Sequence, residues 1–130
     1  MCKKYCAKSK LVIDPTQIRM NTLFEIYCLF ITKRVKKTKQ QELVNLSAAT
    51  NANFTLFKVK GSDYVRIKTT VQKENGKYAI DTKLDNTSSA YEALQAGNSY
   101  QGQTVLFGVS FYAWYWIIDE TYVGYFGISN

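Results

Sequence analysis

The chain contains no histidine among its 130 residues and only one proline. Histidine is the commonest general base of enzymes and activates the nucleophile in Ser-His and Cys-His pairs, so its absence argues against the familiar kinds of hydrolase chemistry. No other acid–base pair can be nominated, and we predict a protein that is not an enzyme and uses no cofactor. The hydrophobic fraction of 46% instead predicts one packed domain.

Cysteine is scarce and confined to the N-terminal third, at Cys2, Cys6 and Cys28. An odd number of cysteines does not make a self-contained set of disulfides. Three thiolates without a histidine also leave a tetrahedral zinc site one ligand short. We therefore predict no metal site and interpret the cysteines as free thiols.

Long apolar runs are missing as well. The longest, residues 23–31, has nine residues and includes Glu25, whereas a transmembrane helix needs about 20. The apolar stretch after the basic start, residues 11–13, is too short for a signal peptide. We expect the sequence as given to contain no membrane span and to be cytoplasmic if made in this form. An alternative role for residues 23–31 is a homodimer face in a stand-alone interaction protein.

Positive charge is distributed unevenly along the chain. Residues 1–40 hold ten Lys or Arg against Asp14 and Glu25, whereas residues 41–130 hold seven against eight acidic residues. The basic segment is either an electrostatic arm for nucleic acid or anionic lipid, or a solvated flank. Aromatic residues interleaved with basic ones are typical of single-strand binding, and residues 32–40 contain none. Nucleic acid is therefore not the partner we expect.

From residue 53 onward, apolar and polar residues alternate with the period of β-strands. Before that point, a helix is predicted to end near residues 47–51. A second helix is predicted from about Ala90 to Gly97, behind a cap at residues 85–89. The predicted strands are residues 54–59, 64–71, 78–80, 99–108, 109–118 and 122–128. This order of elements predicts an antiparallel α+β domain.

Several fragments of the chain occur in a familiar order. They are LVNLSAAT (43–50), FTLF (54–57), GSDYVRI (61–67), AYEAL (90–94), SYQG (99–102), LFG (106–108) and YAWY (112–115). In order and spacing they resemble the single Cache domain of bacterial methyl-accepting chemotaxis receptors, over about residues 42–128. We find no resemblance upstream. The chain is thus predicted to consist of a basic segment, residues 1–41, and a Cache-like domain, residues 42–130.

The resemblance implies a PAS-like fold, in which an antiparallel sheet of five or six strands carries an N-terminal helix on one face and a small-ligand pocket on the other. It also implies an extracytoplasmic (periplasmic) sensor for carboxylates or amino acids, whose receptor anchors it by membrane helices that this sequence lacks. Two alternatives stay open: a dimeric stand-alone binding protein derived from a Cache domain, and a nucleic-acid binder that uses the basic arm.

Five residues are predicted to bind the ligand. Arg66 and Lys68 alternate on one strand and are expected to share a face, where both could meet one carboxylate, Arg66 through a bidentate fork. Tyr100, Tyr112 and Trp114 lie on later strands and could supply hydroxyl donors and an aromatic wall. Equally, the two cations could lie on an ordinary solvent-facing strand, and the aromatic residues could fill the core.

Overall fold

The computed structural model describes residue 37 and residues 39–129 of the chain. The three cysteines, the apolar run at residues 23–31 and most of the basic cluster lie outside the described residues, so what was predicted for them stays a prediction. Within the described part of the chain, neither helix has the length and apolar character needed to cross a membrane.

The described residues form an antiparallel five-stranded sheet with two helices, which confirms the predicted α+β class. In chain order the elements are α1 (Gln40–Thr50), β1 (Asn53–Lys60), β2 (Asp63–Thr69), α2 (Ser89–Gln95), β3 (Tyr100–Leu106), β4 (Val109–Ile117) and β5 (Tyr122–Ser129). The strands lie in the order β2-β1-β5-β4-β3. The last strand along the chain therefore lies in the middle of the sheet.

Helix α1 packs on one face of the sheet and is tied to the edge strand β2. Its Leu43 is fully buried. The Gln40 side-chain amide donates to the Thr69 carbonyl oxygen at 2.6 Å, and the Gln40 side-chain oxygen accepts from the Thr69 backbone N–H at 2.8 Å. The helix ends at Asn51, whose φ of 59° is a left-handed conformation that asparagine tolerates. The predicted helix end is thus confirmed.

The second helix and the junction between the predicted strands 99–108 and 109–118 also lie where the sequence predicts them. Phe107 and Gly108 join β3 to β4 with φ values of 51° and 80°, the two positive angles that a tight hairpin turn of type I′ requires. At the start of α2, the Ser88 hydroxyl accepts the backbone N–H of Tyr91 at 3.1 Å. This bond satisfies one of the donors that a helix start leaves free.

Residues 78–80 do not form the predicted strand. Tyr78 makes a single bridge to Gln72, and a turn at residues 80–81 follows it. The next residues run along the outer edge of β2, where the Asp81 N–H donates to the Arg66 carbonyl oxygen at 2.7 Å and the Arg66 N–H to the Thr82 carbonyl oxygen at 2.8 Å. This segment covers an edge that β2 would otherwise leave unpaired, and it does so beside Arg66.

The sheet carries a separate buried core on each face. We call the face under α1 the α1 face, and its core consists of Leu43, Ala52, Phe54, Leu56, Trp114, Trp116 and Phe126. The α2 face is covered by Ala90 and Leu94 of α2, and its core further includes Phe57, Tyr64, Val71, Leu84, Leu106, Phe111, Ala113, Tyr115, Val123 and Tyr125. Adjacent residues of one strand, such as Tyr125 and Phe126, thus pack in the cores on opposite faces of the sheet.

We predict that Gly124→Ala destabilises the domain by about 1–3 kcal/mol. Gly124 pairs with Trp116 across β5 and β4, and a Cβ atom at this position would overlap the Trp116 ring, which is 1% exposed and has no room to move aside. The midpoint of urea unfolding measures the loss. Val105→Ala is the control, because truncating this exposed side chain should cost less than about 0.5 kcal/mol. A loss no larger than the control's would contradict the close packing of Trp116 on Gly124.

Candidate ligand-binding site

A β-bulge separates the two cations that the sequence predicted to share a face. In the pairing of β1 with β2, Phe57 lies opposite Arg66 but Leu56 lies opposite Lys68, so β2 has one extra residue between these pairs. Leu56 belongs to the core of the α1 face and Phe57 to that of the α2 face. Arg66 therefore faces the α2 side and Lys68 the α1 side. The prediction of a shared face is wrong, because one inserted residue reverses the alternation.

The predicted aromatic wall is divided as well. Tyr112 and Trp114 do share a face of β4, with ring centroids 5.2 Å apart, but it is the α1 face, where Trp114 packs 5.3 Å from Phe126. Tyr100 packs against the core of the α2 face. The structure thus brings Arg66 and Tyr100 to one face and places the other three predicted residues on the opposite one.

A row of three tyrosines crosses the α2 face. Tyr100, Tyr115 and Tyr125 are direct cross-strand neighbours on β3, β4 and β5. The ring centroids of Tyr100 and Tyr115 are 6.1 Å apart, and those of Tyr115 and Tyr125 are 4.9 Å apart. Tyr115 and Tyr125 were not predicted from the sequence, because the prediction followed the face of the strand that carries Trp114, and the next residue along a strand faces the other way.

Beneath the tyrosine rings lies a second row, of the small residues Gly102, Ala113 and Gly127, which also pair directly across the three strands. A Cβ atom at Gly127 would overlap the Tyr125 hydroxyl, and one at Gly102 would lie 3.0 Å from the Tyr100 hydroxyl oxygen. Both tyrosines therefore lean along their strands over a glycine. Glycine inside a strand often marks such a close approach, and this was the signal in the sequence that could have located the site.

Arg66 adds a buried positive charge to this face. It is 2% exposed, and its guanidinium carbon lies 5.2 Å from the ring centroid of Phe57 and 5.5 Å from that of Phe107. Its side-chain hydrogen bonds to the described residues both start at Nη1, which donates to the Thr82 hydroxyl at 3.1 Å and to the Lys83 carbonyl oxygen at 2.9 Å. The Nε–Nη2 edge of the guanidinium makes no hydrogen bond to any of these residues.

No carboxylate of a described residue forms an ion pair with Arg66. The nearby pair between Lys83 and Asp63, at 3.2 Å, lies at the surface. Burial lowers the pKa of Arg66, while the adjacent Tyr115 and Tyr125 act in the opposite direction. The guanidinium nevertheless stays charged, as arginine does in proteins. Aromatic rings and the Nη1 bonds thus hold this buried cation, to which the described residues supply no carboxylate, and the desolvation of such a group costs several kcal/mol.

Two phenol hydroxyls beside Arg66 also lack partners among the described residues, those of Tyr115 and Tyr125. Burial raises the pKa of Tyr115 to about 12, although Arg66 and the Thr104 hydroxyl, which lies close by without hydrogen-bond geometry, act to lower it. Burial likewise raises the pKa of Tyr125 well above its usual value. Both phenols are therefore neutral near pH 7 and can donate a hydrogen bond.

A cavity of about 190 Å³ lies beside this group, between β3 and the start of α2. Tyr100 and Thr104 form part of its wall, and both are neighbours of Tyr115. Its other lining residues are Leu84, Asp85, Ser88, Ser89, Ala90, Gln103, Val105 and Leu106. A larger cleft of about 450 Å³ lies between α1 and the strand ends, but among the described residues its lining includes no charged side chain and none of Arg66, Tyr115 and Tyr125. We therefore place the candidate site at Arg66.

Comparison with known proteins gives a match to one family model over most of the chain. The family described as the Cache 3/Cache 2 fusion domain matches residues 16–122. No curated protein and no solved structure matches the chain. The matched span begins inside the basic segment, upstream of residue 42, and so reaches further towards the N-terminus than the resemblance drawn from sequence fragments.

We predict that Tyr115→Phe and Tyr125→Phe leave the ligand-free domain as stable as before, or more stable by up to about 1 kcal/mol. Each removes a buried hydroxyl that has no partner among the described residues, so no hydrogen bond is lost. Tyr91→Phe is the control, because the Tyr91 hydroxyl donates to the Ser62 carbonyl oxygen at 2.7 Å, and its removal should cost about 0.5–1.5 kcal/mol. Urea unfolding compares the three. A larger loss at Tyr115 or Tyr125 than at Tyr91 would show that their hydroxyls are already bonded.

The raised pKa of Tyr115 also predicts how stability depends on pH. The pKa of Tyr115 is about 12 in the folded domain and about 10 in the unfolded chain. Its contribution to the free energy of unfolding is therefore fully present below pH 10 and is lost as the pH rises towards 12. The free energy of unfolding should therefore fall across this window. In Tyr115→Phe the fall should be shallower, since one tyrosine that resists ionisation is gone. Urea titrations at several pH values measure both slopes, and parallel slopes would contradict the shift.

Proposed function

Because this chain belongs to the Cache 3/Cache 2 fusion domain family, whose domains sense small molecules, we propose that it binds an organic acid or amino acid through the carboxylate group. The observation that carries the proposal is the Nε–Nη2 edge of Arg66. This edge belongs to a buried guanidinium and makes no hydrogen bond to the described residues.

The geometry of that edge suits a carboxylate. Nε and Nη2 present two parallel N–H donors, and their spacing matches the two oxygens of one carboxylate. Nη1 is already held by Thr82 and Lys83, so the plane of the guanidinium is fixed before a ligand arrives. A preorganised group loses little conformational entropy on binding, which leaves more of the interaction energy as affinity.

The tyrosine row supports the same assignment. Tyr115 and Tyr125 lie close enough to Arg66 to influence its pKa, and their hydroxyls can donate to further lone pairs of the carboxylate. Each buried polar group without a partner costs about 1–3 kcal/mol. A carboxylate at this position would give partners to Arg66 and to both phenols together, and would also supply a negative charge that none of the described residues provides.

We further propose that the domain works as the extracytoplasmic sensor of a chemotaxis receptor, which is the setting that the resemblance of residues 42–128 implies. The two faces of the sheet suggest how binding could be relayed. Phe57 and Tyr125 contact the site region, and their chain neighbours Leu56 and Phe126 pack in the core beneath α1. A ligand that shifts Phe57 and Tyr125 would also shift their chain neighbours in the core beneath α1, and would thereby move α1. A homodimer is the assembly we propose for such a sensor.

The test is carboxylate binding to Arg66→Met and to its matched control Lys68→Met. Both variants replace a cation on β2 with a side chain of similar length, but Lys68 lies on the opposite face. Removing one partner of a buried charged pair typically costs 2–5 kcal/mol. We therefore expect Arg66→Met to weaken binding by roughly 30-fold or more, and Lys68→Met to change it by less than about threefold, in calorimetric titration with the organic acid that gives the largest thermal shift.

Circular dichroism and urea unfolding of the ligand-free variants show whether Arg66→Met still folds. We expect it to fold, since an apolar side chain in place of a buried unpaired charge is tolerated or stabilising. Arg66→Lys keeps the charge without the planar fork and should bind with intermediate affinity. The proposal is wrong if no organic acid or amino acid stabilises the native chain at millimolar concentration, or if a folded Arg66→Met binds as tightly as the native chain.

A further inference from the structure

We infer that the homodimer forms at the edge strand β3, which pairs with β3 of a second copy and joins the two five-stranded sheets into one. That a homodimer forms at all belongs to the proposed function, on which this step rests. The choice of surface follows from the two edges of the sheet and does not involve a ligand.

The two edges of the sheet differ in how they are protected. Residues 81–84 run along the outer edge of β2 and bond to Tyr64 and Arg66 of that strand. At the opposite edge, β3 pairs with β4 and with no other strand of the described residues. It contains no proline, no charged residue and no bulge, the features that usually keep an edge strand from pairing with another chain. The edge of β3 is therefore suited to pairing with a further strand.

The backbone groups on this edge are arranged symmetrically. The two-residue turn that joins β3 to β4 makes Leu106 and Val109 a hydrogen-bonded pair. Bonding alternates along an antiparallel pair, so the backbone groups of Gln101, Gln103 and Val105 point away from β4. A two-fold axis at Gln103 therefore brings Gln101 of each copy opposite Val105 of the other. Each of these two pairs can exchange two hydrogen bonds.

The neutral surface around β3 favours a second copy as the partner. Each copy carries a net charge of +7, so two copies repel each other, and they repel least where their surfaces lack charge. Residues 93–118, which include β3, contain no charged side chain. Val105 is 68% exposed and would lose part of its contact with water on pairing. The two-fold axis runs perpendicular to the sheet, so both α1 helices would lie on one side of the joined sheet.

Charges introduced at the axis test this pairing. The experiment is analytical ultracentrifugation of the full chain without ligand, from about 5 to 500 µM, because an interface built from one pair of strands is small and weak. A reducing agent excludes dimers linked through the cysteines. We expect the native chain to dimerise reversibly. Gln103→Lys and Gln103→Glu should each weaken the dimer by at least about fivefold, since like charges then lie directly opposite each other.

A mixture of the two variants tests the register. An equimolar mixture of Gln103→Lys and Gln103→Glu should dimerise at least about fivefold more tightly than either variant alone, because opposite charges meet only if residue 103 of one copy lies across from residue 103 of the other. Circular dichroism shows whether these variants of an exposed residue fold, as we expect.

Val109→Lys is the matched control. It adds the same charge to the same hairpin at an exposed residue, but on β4, one strand in from the edge. It should change the dissociation constant of the dimer by less than about twofold in about 0.15 M salt, where charges far from the axis are largely screened.

The assignment of β3 is overturned if the native chain stays monomeric up to about 500 µM. It is also overturned if the folded Gln103 variants dimerise as tightly as the native chain, or if their mixture gains nothing. In both cases the proposed homodimer stands and its interface lies elsewhere. An equal loss in Val109→Lys would show that net charge rather than the strand edge controls assembly. Carboxylate binding through Arg66 is measured separately, so its failure contradicts the proposed function and leaves the pairing of β3 in place.

Discussion

Burial of Arg66 without a carboxylate partner among the described residues is the constraint on which the rest of the α2 face depends. A desolvated guanidinium persists only where other groups orient it and replace part of its hydration. Here the Phe57 and Phe107 rings lie beside it, and Nη1 is bonded to Thr82 and Lys83. Those contacts use only Nη1 and leave the Nε–Nη2 edge, which can bind a carboxylate through two parallel N–H donors. Burial of this charge thus destabilises the ligand-free domain and is also the basis of the proposed carboxylate binding.

The chain between β2 and α2 acquires a definite role from this arrangement. Backbone bonds between Arg66 and residues 81–82 cover the outer edge of β2, while the side chain of Arg66 uses the same short segment to fix Nη1. One stretch without regular structure therefore protects an edge strand and orients the charged group. The tyrosine row closes the other side, and it fits only because Gly102 and Gly127 leave room for two of its hydroxyls.

Much of the fold could be predicted from the sequence, because most of its signals are local. Turn residues such as Gly61 and Gly108, the serine cap of α2 and the period-two alternation of the strands act over a few residues, and tertiary packing agrees with them. The segment at residues 78–80 shows the limit. Its residues suit a strand, but a run of three residues has little preference of its own. Among the described residues, Tyr78 and Ala79 pair only with Gln72 and Val71, and the chain turns at residues 80–81 before it runs along β2.

The sequence by itself determined the α+β class, the family and two of the residues that the candidate site brings together, Arg66 and Tyr100. Only the tertiary structure decided which face each predicted residue occupies. A bulge between β1 and β2 sent Lys68 to the side opposite Arg66, and a bulge depends on pairing with a partner strand rather than on local preference. The pairing of β3, β4 and β5 likewise assembled the tyrosine row, since residues distant in sequence become neighbours only when the strands align. Local preference determined the helices and strands, and pairing across the sheet determined which residues come together at the candidate site.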